Sequence, residues 1–285
     1  MPISLIYHDV VTAGQFDGSG FPGAGAARYK FSKSEFRCHL EALNRVAKAA
    51  SLLTRNSPLN STAQNDSSLP CLLTFDDGGA SSILTIAGML EERGWTGRFF
   101  ITTDLINSPA FLRREQVCQL LQRGHLIGSH SCSHPLRMSA CSWDQLVDEW
   151  RRSCDVLSDI IGEQVTAASV PGGFFSRRVA QAAAQSGIRT LFTSEPTARQ
   201  RVVDGCQVLG RYSIDRGVSA DQVAAIAAGR VIPRLKQALL WNAKKIAKTL
   251  AARLYVATRE RFLRRSCPQN SAIRFGSLAS TGVAR

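Results

Sequence analysis

The sequence lacks the features that mark membrane-spanning and disulfide-linked proteins. It has no apolar run that approaches the ~20 residues of a transmembrane helix. Its eight cysteines include no Cys-x-x-Cys pair, and several fall in predicted strands or helices, where a reduced cysteine packs as a small apolar residue. The N-terminus has no basic segment and places His8 and Asp9 where the apolar part of a signal peptide would run, so we expect no signal peptide. These absences favour a reduced, cytoplasmic setting.

Acidic residues are scarce in one region of an otherwise nearly balanced chain. The 285 residues carry a formal net charge of +13. Eleven lysines and arginines lie between Arg230 and Arg265 against the single acid Glu260, so this stretch supplies +10 of the total. Its apolar residues recur at helical spacing, which predicts a basic amphipathic helix. The residues of its apolar face are Ile232, Leu235, Leu239, Ile246, Leu250 and Leu254.

Three interpretations of the basic helix stay open. Its apolar face can pack on the preceding domain with the charges in water, it can contact an anionic membrane peripherally, or its charges can meet an acidic glycan or lipid-phosphate substrate. Nucleic acid is disfavoured, because aromatic residues are not interleaved with the charges as stacking platforms. After Cys267 and Pro268 the chain turns polar, and we expect disorder over residues 266–285.

The rest of the chain alternates between strand and helix patterns. Residues 12–30 predict a loop, and from Cys71 onward apolar runs alternate with helical patterns that close at glycines. The clearest helix spans residues 143–161, after a capping box that starts at Ser142. Another helix is predicted near Ser81–Arg93, and the last strand near Gln207–Ile214. Repeated βα units predict a parallel sheet, open or closed into a barrel.

Two short motifs follow predicted strands and carry the candidate chemistry. Asp76 and Asp77 come after the apolar run 71–75, and His130 and His134 come after the run 126–128. An Asp pair at a strand end is commonly a helix cap, and two histidines four apart can be a surface coincidence. On a helical turn, however, that spacing brings both rings to one side and turns Cys132 away. One carboxylate and two imidazoles leave a coordination position open, which is typical of a catalytic metal site and frees the second carboxylate to act as a base.

Together, TFDDG at 74–78 and HSCSH at 130–134 resemble the motifs of the NodB-type polysaccharide deacetylases, carbohydrate esterase family 4. The resemblance covers roughly residues 1–215. It implies a distorted (β/α) barrel, here with a basic C-terminal helix. It also implies that Asp76 is the general base and that Asp77, His130 and His134 bind a divalent metal. Zn²⁺ suits such a site best, although other transition metals bind similar ligands.

The sequence departs from the family's third motif, usually Arg-x-Pro-Tyr-Gly. Ser169 stands at the Arg position and Gly172 at the Tyr position. The turn at Pro171 still offers the Gly172 amide to an oxyanion or to substrate. The contact that orients the base carboxylate must come from elsewhere, and Arg98 or Arg211 can supply it.

A second departure concerns the proton donor. The family's last motif, Leu-x-His, falls at residues 209–211 with Arg211 in place of His. His8 is the one remaining histidine at the C-terminal end of a predicted strand. Moreover, residues 7–10, YHDV, resemble the exopolysaccharide branch of the family, in which an N-terminal His takes the acid role. The resemblance therefore implies His8 as general acid, with Asp9 either orienting it or ending the strand; a buried His bonded to backbone is the alternative.

The sequence thus predicts a deacetylase domain over residues 1–217, a basic helical appendage over 218–265 and a tail over 266–285. The expected reaction is metal-dependent removal of acetyl groups from amino sugars of a polysaccharide or lipid-linked glycan. Two alternatives remain: a non-catalytic glycan- or membrane-associated protein that keeps the fold, and an amidohydrolase for a different acylated substrate. We expect a cytoplasmic protein, peripheral to the inner membrane if the basic helix binds lipid.

Overall fold

The computed structural model describes residues 3–55, 69 and 71–243. Met1–Trp241 form one compact unit, and a second unit, Asn242–Arg285, falls almost entirely outside the described residues. The first unit therefore continues past residue 217, where the sequence suggested a boundary. The basic segment from residue 244 onward and the expected tail lie outside the described residues, so the domain division stays a prediction. No helix within the described ranges is long and apolar enough to span a membrane.

Strands and helices alternate along the described chain. The strands are β1 (Ile3–Tyr7), β2 (Val10–Val11), β3 (Phe31–Ser32), β4 (Cys71–Phe75), β5 (Gly97–Ile101), β6 (Leu126–Ser129), β7 (Ala167–Ser169), β8 (Thr190–Phe192), β9 (Gln200–Val203), β10 (Cys206–Leu209) and β11 (Tyr212–Ser213). The α-helices are α1 (Ala24–Ala27), α2 (Lys33–Arg55), α3 (Ala87–Glu91), α4 (Arg114–Gln122), α5 (Trp143–Ile161), α6 (Arg177–Gln185) and α7 (Ala220–Ala227). Residues 231–243 form a further helix.

Nine strands form one sheet in the order β11-β1-β4-β5-β6-β7-β8-β10-β9. Every pair is parallel except β10 with β9. Helices cover this sheet, as a parallel sheet requires, and all five residues of β1 are buried. The carboxyl ends of β4, β6 and β7 therefore lie along one edge, where α/β folds place their active sites.

The sheet curls into a distorted barrel, as the sequence predicts. Strands β10 and β11 stand eighth and first in the order, yet only Gly210 and Arg211 separate them along the chain. Since consecutive Cα atoms are 3.8 Å apart, Leu209 and Tyr212 lie within about 11 Å of each other. The first strand and the eighth must therefore approach each other, and Arg211 sits where the barrel closes.

The predicted single strand Gln207–Ile214 is wrong. It is two strands, because the backbone leaves the sheet at Gly210 to meet the loop after β8. A Cβ at Gly210 would lie 2.4 Å from the carbonyl oxygen of Thr197 and 2.5 Å from that of Glu195. The Arg211 amide then donates to the same Glu195 carbonyl, at 3.0 Å. A side chain at residue 210 would block this approach.

Helix ends agree closely with the capping signals, with one exception. The helix α5 has the predicted bounds, the Ser142 capping box is present, and Gly162 adopts φ 76°. The helix expected near Ser81–Arg93 instead begins with a π-helical turn, Ser82–Ile86, before α3. Its first residues are held from outside the helix, since the Ser81 amide donates to the Ser19 hydroxyl at 2.8 Å. The N-terminal loop thus contacts the start of the π-helical turn.

The loop over residues 12–30 is fastened by two buried polar groups and includes the short helix α1. The Lys30 ammonium donates to three carbonyl oxygens, those of Phe16, Ser19 and Phe21, each at 2.6 Å. The Asp9 carboxylate accepts from the Ser19 hydroxyl at 2.6 Å and from the Ser81 hydroxyl at 2.7 Å. Asp9 therefore holds the loop against the start of the π-helical turn.

Lys30→Met tests whether this fastening stabilises the fold. Lys30 is 2% exposed, and methionine keeps its length but leaves buried carbonyls without a donor. We expect the free energy of unfolding to fall by about 1–3 kcal/mol, measured in urea. Lys33→Met, at an exposed position of α2, is the matched control. Equal unfolding curves for the two variants would contradict the role given to Lys30.

Candidate active site

Asp77, His130 and His134 converge at the carboxyl ends of β4 and β6. The Nε2 atoms of His130 and His134 lie 3.3 and 3.6 Å from Oδ1 of Asp77. All three ligating atoms lie within 4.8 Å of one another, and among the described residues this is the one such group of three potential ligands. The three residues that the family resemblance names as metal ligands are thus brought together. Cys132 is buried beside them but is not part of the group.

The candidate ligands lie on strained backbone that the surrounding contacts must hold in place. Asp77, Ser131 and His134 have φ values of 76°, 64° and 55°, a left-handed conformation that costs a non-glycine residue about 1–3 kcal/mol. The segment from His130 to His134 is therefore a loop, and its interpretation as a helical turn is wrong. Glu149 of α5 stabilises this loop, because its carboxylate accepts from the backbone amides of Cys132 and Ser133, both at 2.9 Å.

Ser169 fixes the tautomer of His130. The His130 Nδ1 lies 2.6 Å from the Ser169 hydroxyl oxygen and 3.1 Å from the Ser169 carbonyl oxygen. The Ser169 hydroxyl in turn donates to Oδ1 of Asp76, at 3.2 Å. Because the Ser169 hydroxyl donates its hydrogen bond to Asp76, its oxygen can only accept a hydrogen bond from His130. The Nδ1 atom of His130 therefore carries the imidazole hydrogen. In the neutral imidazole, Nε2 on the side of Asp77 is then the nitrogen that can bind a metal.

Asp76 forms a buried, two-pronged ion pair with Arg211. Two guanidinium nitrogens of Arg211 donate to the two carboxylate oxygens of Asp76, each at 2.7 Å. Arg211 is 0% exposed, and it also donates to the Thr74 hydroxyl at 3.0 Å and the Thr193 carbonyl at 3.2 Å. Burial alone raises the pKa of the Asp76 carboxyl, but the charges of Arg211 and His130 outweigh it and hold the pKa below its ordinary value.

Of the two arginines considered for orienting the base, the structure places Arg211 on Asp76. Ser169 stands where the family's third motif has an arginine. The Arg211 guanidinium, from the segment between β10 and β11, lies beside the Asp76 carboxylate instead. Arg98, on β5, makes no hydrogen bond to Asp76 within the described structure. The sequence marks Ser169 only as a departure from the family's arginine, whereas its hydroxyl joins Asp76 to His130.

The donor set fits a divalent metal. Four ligands at Zn–N and Zn–O distances of ~2.0–2.2 Å stand about 3.3–3.6 Å apart at the corners of a tetrahedron, and the two measured separations from Asp77 are 3.3 and 3.6 Å. Because Arg211 balances Asp76, the charge of Asp77 is left for a cation. Burial lowers the pKa of His130, but Asp76 and Asp77 outweigh it and raise that pKa. The site therefore attracts positive charge.

His8 lies beside this centre, directly after β1. The backbone amide of Asp76 donates to the carbonyl oxygen of Tyr7 at 3.1 Å, so His8 directly follows the residue that pairs with Asp76. Its ring packs on Tyr29, with 5.0 Å between ring centroids, and its buried Nδ1 has no hydrogen-bond partner in the described structure. The neighbouring Asp9 is bound to Ser19 and Ser81, so its carboxylate fastens the loop.

The turn at Pro171 and Gly172 follows β7 on the same edge of the sheet. Residues Pro171–Gly173 form a short 3₁₀ turn in which Gly172 adopts φ 60°. Pro171 is buried and Gly172 is exposed, so the turn presents glycine backbone to solvent near Ser169. In the N-terminal loop, the ring of Phe21 lies 4.9 Å from that of His134, between ring centroids. The fastened N-terminal loop therefore forms one wall of the site.

Comparison with known sequences identifies the family of this site. The sequence profile described as polysaccharide deacetylase matches residues 64–191, a range that contains all three converging ligands and Asp76. This chain contains a polysaccharide deacetylase domain. The family is one of hydrolases, and the hydrolase assignment made from the two motifs is confirmed.

Related sequences match the deacetylase domain over different lengths. YxkH of Bacillus subtilis (strain 168) is 27% identical over 194 residues, which cover 68% of this chain and 68% of YxkH. The peptidoglycan-N-acetylmuramic acid deacetylase PdaA of the same strain is 30% identical over 43% of this chain and 45% of PdaA. The peptidoglycan-N-acetylglucosamine deacetylase PgdA of Listeria monocytogenes is 29% identical over 38% of this chain and 22% of PgdA. The match spans less than half of the last two proteins.

Solved structures confirm the barrel. The deacetylase PplD of Streptococcus pyogenes, in complex with acetate, superposes with a TM-score of 0.58 and 18% identity over 77% of this chain and 95% of PplD. IcaB of Ammonifex degensii gives a TM-score of 0.56 and 20% identity over 79% of this chain and 96% of IcaB. At these identities the likeness concerns the fold, which is the predicted distorted (β/α) barrel.

Proposed function

We propose that this deacetylase domain is a metal-dependent N-deacetylase for amino sugars of a polysaccharide or lipid-linked glycan. The observation that carries the proposal is the connected pair of carboxylates. Asp77 converges with two imidazoles, while Asp76 is held ionised by Arg211 and is joined to the ligand His130 through the Ser169 hydroxyl. A binding site alone has no need of a free base beside its metal ligands.

Asp77, His130 and His134 would hold the metal, and zinc suits two imidazoles and one carboxylate best. When bound there, a divalent metal polarises the acetamide carbonyl and acidifies a water molecule. Asp76 is the adjacent ionised carboxylate, and its role is to accept the proton of the attacking water. Arg211 orients both carboxylate oxygens of Asp76 for this role.

The leaving amine needs a proton as the carbon–nitrogen bond breaks. His8, in its imidazolium form, gives that proton to the nitrogen, and the products are the free amine and acetate. The Gly172 amide is the candidate hydrogen-bond donor to the carbonyl oxygen, on which negative charge develops as water adds. These roles consume one water molecule per acetyl group, as amide hydrolysis requires.

The class of substrate is supported by the names of two relatives. PgdA is named for N-acetylglucosamine and PdaA for N-acetylmuramic acid, both N-acetylated sugars of peptidoglycan. The alternative of a non-catalytic protein rests on the altered third and last motifs. The Arg211 contact weakens that alternative, since it restores the orientation of Asp76 that the altered third motif would otherwise lose.

Acetate release from a panel of N-acetylated glycans tests the proposed function. Metal-free protein is reloaded with Zn²⁺, Co²⁺ or Ni²⁺ and incubated with chitin oligosaccharides and peptidoglycan fragments. We expect acetate from at least one glycan, with none before metal is added. Metal binding by calorimetry without acetate release from any glycan would instead identify a non-catalytic member of the fold.

His8→Ala tests the proton donor. We expect kcat for acetate release to fall about 10²-fold with little change in KM, because general acid catalysis is lost while the metal ligands stay in place. Zinc affinity serves as the internal check, since His8 lies outside the ligand group. His125→Ala is the matched control, because His125 contacts the Gly97 amide and Glu91 at the opposite end of β5 and β6. Unchanged kcat in His8→Ala would remove His8 from the mechanism.

A further inference from the structure

The helix over residues 231–243 turns its apolar side away from the domain. Its contacts with the barrel come from polar residues, since Arg234 donates to the Tyr212 hydroxyl at 2.7 Å and Gln237 donates to the Ser213 carbonyl at 2.5 Å. Ile232, Leu235 and Leu239 are 81%, 54% and 61% exposed. Packing of the apolar face on the domain, one of the interpretations drawn from the sequence, is therefore wrong for the described part of this helix.

Helical geometry places these exposed residues on one stripe. At 100° per residue, Arg234 and Gln237 fall on the side toward the barrel, whereas Ile232, Leu235 and Leu239 fall within about 60° of one another on the opposite side. Val231 and Leu240 extend the apolar surface and are 71% and 54% exposed. The described residues thus form an amphipathic helix whose apolar side faces outward.

The charged side chains on and around the apolar stripe are all basic. Lys236 is exposed and falls about 40° from Ile232 around the helix, Arg230 is exposed just before the helix begins, and between residues 230 and 243 the sequence contains no acid. Cations beside an outward apolar stripe are the arrangement by which a helix lies in the headgroup region of a bilayer that contains anionic lipids. A second copy of the same surface would bring like charges together, so charge complementarity disfavours self-association.

We propose that the outward face of residues 230–240 binds the surface of an anionic lipid bilayer. The apolar side chains enter the headgroup boundary, and Lys236 beside them, together with Arg230 at the start of the helix, meets lipid phosphates. This attachment is independent of the deacetylase chemistry, because none of these residues belongs to the metal or base groups.

Vesicle flotation tests the proposal with the full chain. Wild-type protein is mixed with vesicles of phosphatidylcholine alone or of equal parts phosphatidylcholine and phosphatidylglycerol. We expect binding to the anionic vesicles only, and weaker binding as salt shortens the Debye length from about 10 Å at 0.1 M to about 3 Å at 1 M. The double variant Leu235→Ser/Leu239→Ser should lose at least tenfold in partition coefficient.

The matched control is Leu84→Ser/Val202→Ser, which removes two apolar side chains that are 70% and 66% exposed elsewhere on the domain. It should bind as wild type, and thermal unfolding should be unchanged in both double variants. Equal binding by Leu235→Ser/Leu239→Ser and wild type would overturn the proposal, as would equal binding to neutral vesicles. If the protein is a dimer without lipid, and Leu235→Ser/Leu239→Ser converts that dimer to a monomer, the face binds a second copy of the chain instead of lipid.

Discussion

Asp76→Asn is expected to lower kcat for acetate release by about 10³- to 10⁴-fold while zinc affinity stays close to that of wild type. The amide cannot accept the proton of water, and the loss of a positioned general base costs this much in rate. The three metal ligands keep their own side chains, so metal binding measured by calorimetry separates the base from the metal site. Loss of zinc binding together with activity would show that Asp76 serves the metal instead.

The buried partner of Asp76 makes a second variant necessary. Asparagine leaves the Arg211 guanidinium buried opposite a neutral group, and breaking a buried pair in this way costs about 3–5 kcal/mol of stability. The double variant Asp76→Asn/Arg211→Met removes both charges and should be less destabilised than the sum of the two single variants. If Asp76→Asn and the double variant both lose activity while the double variant stays folded, unfolding does not explain the loss of activity.

Arg211→Met is expected to lower the free energy of unfolding by about 3–5 kcal/mol and to abolish measurable turnover. Methionine leaves the Asp76 carboxylate buried without its main partner, and it also removes the donors to Thr74 and Thr193. The guanidinium further stacks near Phe100 and Phe192, at 5.5 and 5.8 Å from the ring centroids. Urea unfolding and acetate release measure the two effects.

Two control variants make the Arg211 result specific. Arg211→Lys keeps the charge but loses the two-pronged contact, so both stability and kcat should lie between those of methionine and wild type. Arg123→Met removes a surface ion pair with Glu91, at 2.7 Å, which is worth about 1 kcal/mol or less. Wild-type turnover in Arg211→Met would mean that Asp76 does not depend on Arg211 for its orientation.

Signals within a few residues of one another were enough to predict much of this fold. The bounds of α5 follow from the Ser142 capping box and Gly162, whose conformations are those that the residue types favour. The metal-ligand and base candidates could be named because their motifs end strands, and parallel strands end at one edge of a sheet. These features depend on local backbone preferences that a sequence displays directly.

Contacts that depend on barrel closure could not be predicted in the same way. Arg211 lies 135 residues from Asp76 along the chain, and the pairings of β11 with β1 and of β10 with β8 on either side of it bring the two together. Its position in the sequence suggested a lost acid, and nothing local distinguished it from Arg98. Ser169 and Glu149 were missed for the same reason, because serine and glutamate are common residues whose role depends on the far side chains they meet.

One missed strand did carry a local signal. β9 pairs with β10 through the two-residue turn Asp204-Gly205, whose φ values are 48° and 83°. An Asp-Gly pair between apolar residues is a strong hairpin signal, since both positions require positive φ. Among the described strands, this hairpin adds the single antiparallel pair to the main sheet, and the dipeptide predicts it.

The central claim is that Asp76, beside a metal held by Asp77, His130 and His134, hydrolyses an N-acetyl group. The most direct test measures acetate and free amine together, on the glycan that gives the highest rate, with zinc-loaded wild type and zinc-loaded Asp76→Asn. We predict equal amounts of acetate and amine from wild type, and neither from the variant, although both proteins bind zinc. Equal product formation by the two proteins, or none by wild type on any N-acetylated glycan, would contradict the account.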